Sequence, residues 1–176
     1  MRRLFVFLFL IAFAAPLAQA KPLRFPQTGE YAFSLDLPRG WNTATDKRGG
    51  LLLVPPDHHS MIYLAILTDD SLRGQPDSAV AAKVARIAGI KMDGKQEPER
   101  LAGPDGIVRY RGTAFYGTLP APRSLARRAR IVLFKLAPDT WAQIWSVTQP
   151  GMNNNETAAL AKMLNSITLA EYQTQE

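Results

Sequence analysis

The chain has two histidines, His58 and His59, and no cysteine. Those two counts decide which chemistry is open to it. Adjacent residues of an extended chain point to opposite faces, so the two imidazoles do not converge on one ion. Asp57, Asp69 and Asp70 are the nearest oxygen donors. A metal site needs three or four converging ligands, and the alternative is a polar loop beside Pro55-Pro56. No metal and no cofactor are expected. The members of a Ser/His/Asp triad can come from anywhere in a chain. Here the Gly-x-Ser-x-Gly elbow is missing, and both histidines lie in one short segment. Gly103-Pro104-Asp105-Gly106 reads as a turn and not as a phosphate loop. Without Cys there is no thiolate zinc site, no Cys nucleophile and no disulfide framework. The expectation is a protein that is not an enzyme.

The basic residues are more distinctive. From Gly106 to Pro138 there are seven and no acidic residue: Arg109, Arg111, Arg123, Arg127, Arg128, Arg130 and Lys135. Side chains repeat every two residues along a strand, so Arg109 and Arg111 share a face, as do Arg128 and Arg130. All four meet on one face if the register of the two strands allows it. Such a patch attracts an acidic protein partner, anionic lipid or a polyanion and speeds encounter. Nucleic acid is not expected. The alternative is a solvated face whose arginines pair with Asp69, Asp70, Glu97 or Glu99. Trp141 and Trp145 lie on one strand face with Gln143 between them. Trp145 and Trp41 are assigned to the core. Trp141, beside a turn, joins Arg109, Arg111, Arg128 and Arg130 as a candidate binding residue.

The elements that must position these residues begin after residue 20. Arg2 and Arg3 precede the apolar run Leu4–Ala15, and Ala18-Gln19-Ala20 has the small-x-small form of a cleavage site. This reads as a secretory signal peptide cut after Ala20, with an uncleaved anchor as the alternative. The run is shorter than the roughly 20 residues that span a bilayer. A periplasmic or secreted protein follows, not membrane-spanning, with one domain over 21–172 and a frayed tail over 173–176.

Within that domain Tyr31–Leu37 alternates as a half-buried strand, and Leu51–Val54 is a second. Ser60–Thr68 is nearly all apolar, as for a central strand covered on both faces. Ala79–Met92 has helical spacing, with Asp77 or Ser78 as cap and Gly94 as terminator. Ile107–Tyr116 is a strand, and Gly117–Leu125 is a loop with two prolines. Arg128–Ala137 and Thr140–Thr148 form a hairpin through Pro138-Asp139. Asn153 and Glu156 form a capping box for a last helix lined by Leu160, Leu164 and Ile167. Strands joined by short turns predict an antiparallel sheet of about six strands packed with two main helices, an α+β sandwich.

Three segments carry a family resemblance. They are Phe33-Ser34-Leu35-Asp36-Leu37-Pro38-Arg39-Gly40-Trp41, the hairpin Ile131–Val147, and Leu164-Asn165-Ser166-Ile167-Thr168-Leu169. Together they frame about residues 29–170, and the chain resembles the PsbP/Mog-type α/β/α sandwich superfamily. The resemblance implies a non-catalytic binding or accessory module, with an immunity or secretion-system role as a narrower form. It carries no active site onto these residues, because the segments are architectural. A small-ligand or lipid-binding protein with a cleft between sheet and helix is the alternative.

Overall fold

The computed structural model of the chain describes residues 21–120 and 126–172. The expected signal peptide, Arg123 and the tail 173–176 lie outside the described residues. The order is β1 Lys21–Phe25, β2 Tyr31–Leu37, β3 Asn42–Thr45, β4 Leu51–Val54 and β5 Ser60–Thr68, then α1 Asp77–Ala88. Next come β6 Lys91–Ala102, β7 Val108–Leu119, β8 Arg127–Ala137 and β9 Thr140–Thr148, then α2 Asn154–Ser166 and β10 Thr168–Glu171.

The described strands form two antiparallel sheets, not one sheet of about six. One has seven strands, in the order β3-β4-β5-β9-β8-β7-β6, and one has three, β1-β2-β10. The extra strands have physical causes that reach beyond local pattern. β3 is exposed throughout and β6 is almost wholly polar, so neither shows an apolar alternation. Both are edge strands, held by the ladder of one neighbour each.

The seven-stranded sheet divides the core in two. On one face, Phe33 and Leu35 of β2 and Leu160 and Met163 of α2 pack against Ile62, Val132 and Phe134. On the other, Val80, Ala81 and Val84 of α1 pack against Phe115, Ile131, Leu133 and Trp141. The layers are therefore α1, large sheet, then small sheet with α2 beside it. Burying each apolar helix stripe requires this arrangement, because each sheet face is the largest apolar surface in reach.

The α2 capping box forms as expected. The Asn153 side chain accepts from the Glu156 N–H at 3.0 Å, and Glu156 accepts from the Asn153 N–H at 2.8 Å. α1 differs from expectation at both ends. Its N-cap is Pro76, with no side-chain bond. Its end is Gly89, not Gly94: at φ 72° its N–H reaches Ala85 and Arg86 carbonyls. The chain then turns straight into β6, which takes Lys91 and Met92. β7 likewise runs on through Gly117 to Leu119, into the segment read as loop.

Candidate functional site

The strand register settles the arginines. β7 and β8 pair through Gly112–Phe134, Thr113–Leu133 and Tyr116–Arg130. Opposed residues share a face, so Arg128 and Arg130 lie on the α2 side with Val132 and Phe134. Arg111 lies on the α1 side with Thr113, opposite Leu133. The four arginines do not form one patch. Arg130 pairs with Glu99 from the α2 side of β6, and burial draws its guanidinium below the usual arginine range. Arg109 pairs with Asp105 at the β6–β7 turn. Arg128 is exposed on the α2 side.

A different basic cluster assembles instead, on the α1 side at the end of the sheet where α1 begins. Arg100 of β6 stands directly opposite Arg111 of β7. Lys135 of β8 follows on the same face, one step beyond the Gly112–Phe134 pair. All three are exposed, and none has an ion-pair partner among the described residues. The neighbouring acid, Asp77, accepts from the Trp141 indole N–H at 3.2 Å and from the Thr113 hydroxyl at 3.4 Å. Arg100 sits in a strand with no apolar period, so its position opposite Arg111 carries no signal in the sequence.

Trp141 is a correction. It is fully buried under α1, its indole committed to Asp77, and Lys135 Nζ lies 5.5 Å from its ring centroid. It cannot touch a partner. Trp145 takes the more accessible place instead, half-buried, its ring tilted at 41° against that of Tyr63 with centroids 4.7 Å apart. Trp41 is half-buried against the α2-side core.

These two aromatics floor a groove. α1 covers the large sheet over β6, β7 and β8, and the α1-facing side chains of β5 are left half-covered. Ser60, Ile62 and Leu64 are buried on the other face, while Met61, Tyr63 and Leu67 are only partly buried. The expected two-sided cover of this strand is thus incomplete. The groove is about 380 Å³, with Val84 and Ile87 on its helix side, and Ile87 is 52% exposed. Gln143 and Trp145 line it, and Gln143 Oε1 and Trp145 Nε1 are sealed from solvent with no hydrogen-bond partner among the described residues.

The groove is held open by built contacts. The Tyr63 hydroxyl donates to Asp46 Oδ2 at 3.0 Å, and burial together with this carboxylate pushes Tyr63 up to about 12. Burial disfavours the Asp46 anion, but the N–H groups of Gly50 and Arg48 and the Tyr63 hydroxyl outweigh it and hold the carboxyl low. A Cβ at Gly50 would fall within the Tyr63 ring, so only glycine lets the ring lie there. At the other end Lys83 pairs with Asp69, and the Ser71 hydroxyl donates to Asp69 Oδ1 at 2.6 Å. Bonds from Lys83 and Ser71 hold Asp69 down to about 2. Lys83 lies 3.2 Å from Ser71 Oγ as a hydrogen-bond donor. As the cation of that pair it has no free lone pair to activate the hydroxyl.

His58 and His59 part company, as adjacent residues should. His59 Nδ1 meets Glu156 Oε1 at 3.0 Å, tying this loop to the start of α2. His58 has a left-handed φ of 58°. Asp57 Oδ1 accepts from the His59 N–H at 2.8 Å. Among the described residues no three His, Asp or Glu groups converge as metal ligands, and no helix is long and apolar enough to cross a membrane.

No family model and no curated protein sequence matches the chain. In structure it is similar to cyanobacterial PsbP (CyanoP) from Synechocystis sp. PCC 6803, at 11% identity and TM-score 0.49, covering 90% of this chain and 96% of that one. It is also similar to the Saccharomyces cerevisiae Ran-binding protein Mog1p, at 12% identity and TM-score 0.46, covering 84% and 95%. A crystal structure from Bacteroides thetaiotaomicron VPI-5482 matches 82% of this chain at 12% identity and TM-score 0.47, and this chain spans 46% of its length. Structures of both PsbP and Mog type are thus among those it is similar to. At these identities the likeness is one of fold outline and assigns neither partner nor role.

Proposed function

We propose that the protein is a non-catalytic, exported binding module that docks an acidic protein partner through Arg100, Arg111 and Lys135. The supporting observation is the direct opposition of Arg100 and Arg111. Like charges facing each other across two strands are destabilising, by about 0.2–1 kcal/mol in magnitude. None of the three cations has an ion-pair partner among the described residues to offset this cost. An acidic surface would relieve it. The row also spans three neighbouring strands, β6, β7 and β8, which suits a protein surface.

The test is a pull-down from the native envelope fraction with the purified protein, then association kinetics with the retained partner. The Debye length falls from about 10 Å at 0.1 M salt to about 3 Å at 1 M. Steered association slows by roughly tenfold or more over such a range. The triple variant Arg100→Glu, Arg111→Glu, Lys135→Glu should lose the fast, salt-sensitive phase while keeping its fold. A partner held equally well by that variant, at a salt-independent rate, would remove this reading.

A further inference from the structure

The β6–β7 hairpin ends in a turn that the basic row does not account for. We infer that this tip, led by Ile107 and Val108, seats the protein on an anionic lipid surface.

Three observations lead there. First, residues 104–109 are all exposed, with Ile107 at 60% and Val108 at 51%. Among the described residues these are two of the three exposed large hydrophobics, and they are adjacent. Two aliphatic side chains held together in water gain by entering an apolar phase. Second, the turn is closed on itself. The Gly103 N–H donates to the Ile107 carbonyl at 2.9 Å, and the Gly106 N–H donates to the Gly103 carbonyl at 2.9 Å. The Ile107 N–H donates to Asp105 Oδ1 at 3.1 Å. Pro104 has no N–H. Asp105 is the acid of this turn, and Arg109 pairs with it. Bare N–H groups and lone charges make entry into lipid costly, and Gly103, Pro104, Gly106 and Ile107 bring no bare N–H.

Third, cations stand behind the tip. Arg111 is four residues from Ile107, about 13 Å along an extended strand. Arg100 lies opposite it, and Lys135 follows on β8. A tip sunk about 5–10 Å into the boundary of headgroups and acyl chains brings this row within a Debye length, about 10 Å, of the lipid phosphates. Aliphatic residues in front and unpaired cations a short step behind match a bilayer surface that is anionic outside and apolar beneath. A folded acidic protein offers carboxylates with no continuous apolar phase under them. The row faces out from the α1 side of the sheet, whereas the tip continues the strand direction. A protein on the row and a bilayer at the tip therefore take different surfaces, and this inference does not rest on the docking reading.

The probes are vesicles of phosphatidylcholine alone and of equal parts phosphatidylcholine and phosphatidylglycerol, sedimented with the purified protein at about 0.1 M salt. The anionic vesicles should bind at least about tenfold more tightly, because each Lys or Arg near an anionic surface adds attraction. The double variant Ile107→Ser, Val108→Ser should weaken that binding about tenfold. Its Tm should change little, because both side chains are more than half exposed. The chain has no cysteine, so Ile107→Cys carries a single environment-sensitive fluorophore. Its emission should shift to the blue with anionic vesicles. The same label at Thr43→Cys, exposed on β3 at the far edge of the sheet, should not shift. Anionic vesicles that fail to bind would overturn the inference, as would equal binding of both kinds of vesicle or undiminished binding by the double variant. That variant should keep the fast, salt-sensitive association with an acidic protein partner, so the two readings fail separately. Loss of that association while vesicles stay unbound would assign the tip to the protein interface instead.

Discussion

Replacing Gln143 with Met should make the protein more stable. Gln143 is buried between Leu133 of β8 and Ala65 of β5, and its Oε1 has no partner among the described residues. A buried acceptor left unpaired costs about 1–3 kcal/mol. Met has a similar length and a flexible thioether that fills irregular space. Swapping one for the other removes the unpaired oxygen and keeps the volume. A net gain of about 1–2 kcal/mol follows, after allowing for imperfect packing of the thioether. For a chain of this size each kcal/mol moves Tm by about 2–4 °C, so Tm should rise by about 2–8 °C. Calorimetry gives Tm, and urea unfolding should show a higher midpoint with an unchanged slope. Gln143→Ala is the control. It removes the same oxygen but opens a cavity, and it should destabilise. A neutral or lower Tm for Gln143→Met would refute the reasoning, because it would mean that the oxygen is already satisfied in the free protein.

Two further predictions concern the ends of the groove. Gly50→Ala places a Cβ within the Tyr63 ring and must displace it. A cost above about 1 kcal/mol is expected, as for other overpacked sites, together with a changed near-ultraviolet circular dichroism signal from the Tyr63–Trp145 pair; an unchanged signal would show that the ring is not held there. Asp69 is held down to about 2 by Lys83 and Ser71. A depressed carboxyl stabilises the fold above its unfolded pKa of about 3.9, and that stabilisation fades as pH falls through about 2. The urea midpoint of Asp69→Asn should therefore lie below that of the unaltered protein at pH 7, with the gap closing between about pH 4 and pH 2; a gap that is constant with pH would assign it to packing.

Some features of this protein are written locally in its chain. The Asn153–Glu156 box starts α2 because both partners lie within one turn. The β8–β9 hairpin is legible from its apolar runs and the Pro138-Asp139 turn. β2 shows its buried face through period two, with Phe33 and Leu35 buried. In each case the deciding contacts are a few residues apart, so residue type and spacing suffice. β3 and β6 escape because an edge strand is stabilised by its neighbour's ladder and not by its own pattern. The split into two sheets escapes for the same reason: β10 pairs with β2 across most of the chain.

The site belongs wholly to tertiary structure. A shift of one residue between β7 and β8 would reverse the face of every side chain. Only the observed register separates Arg111 from Arg130 and brings Arg100 opposite Arg111. The exchange of roles between Trp141 and Trp145 has the same origin. Both indoles lie on one strand face, and the place where α1 crosses the sheet decides which is sealed under Asp77 and which is left at the groove. Spacing along a strand tells which side chains travel together. It carries no information about which half of a sheet face a helix will cover, because that depends on the apolar area left after every other element has packed.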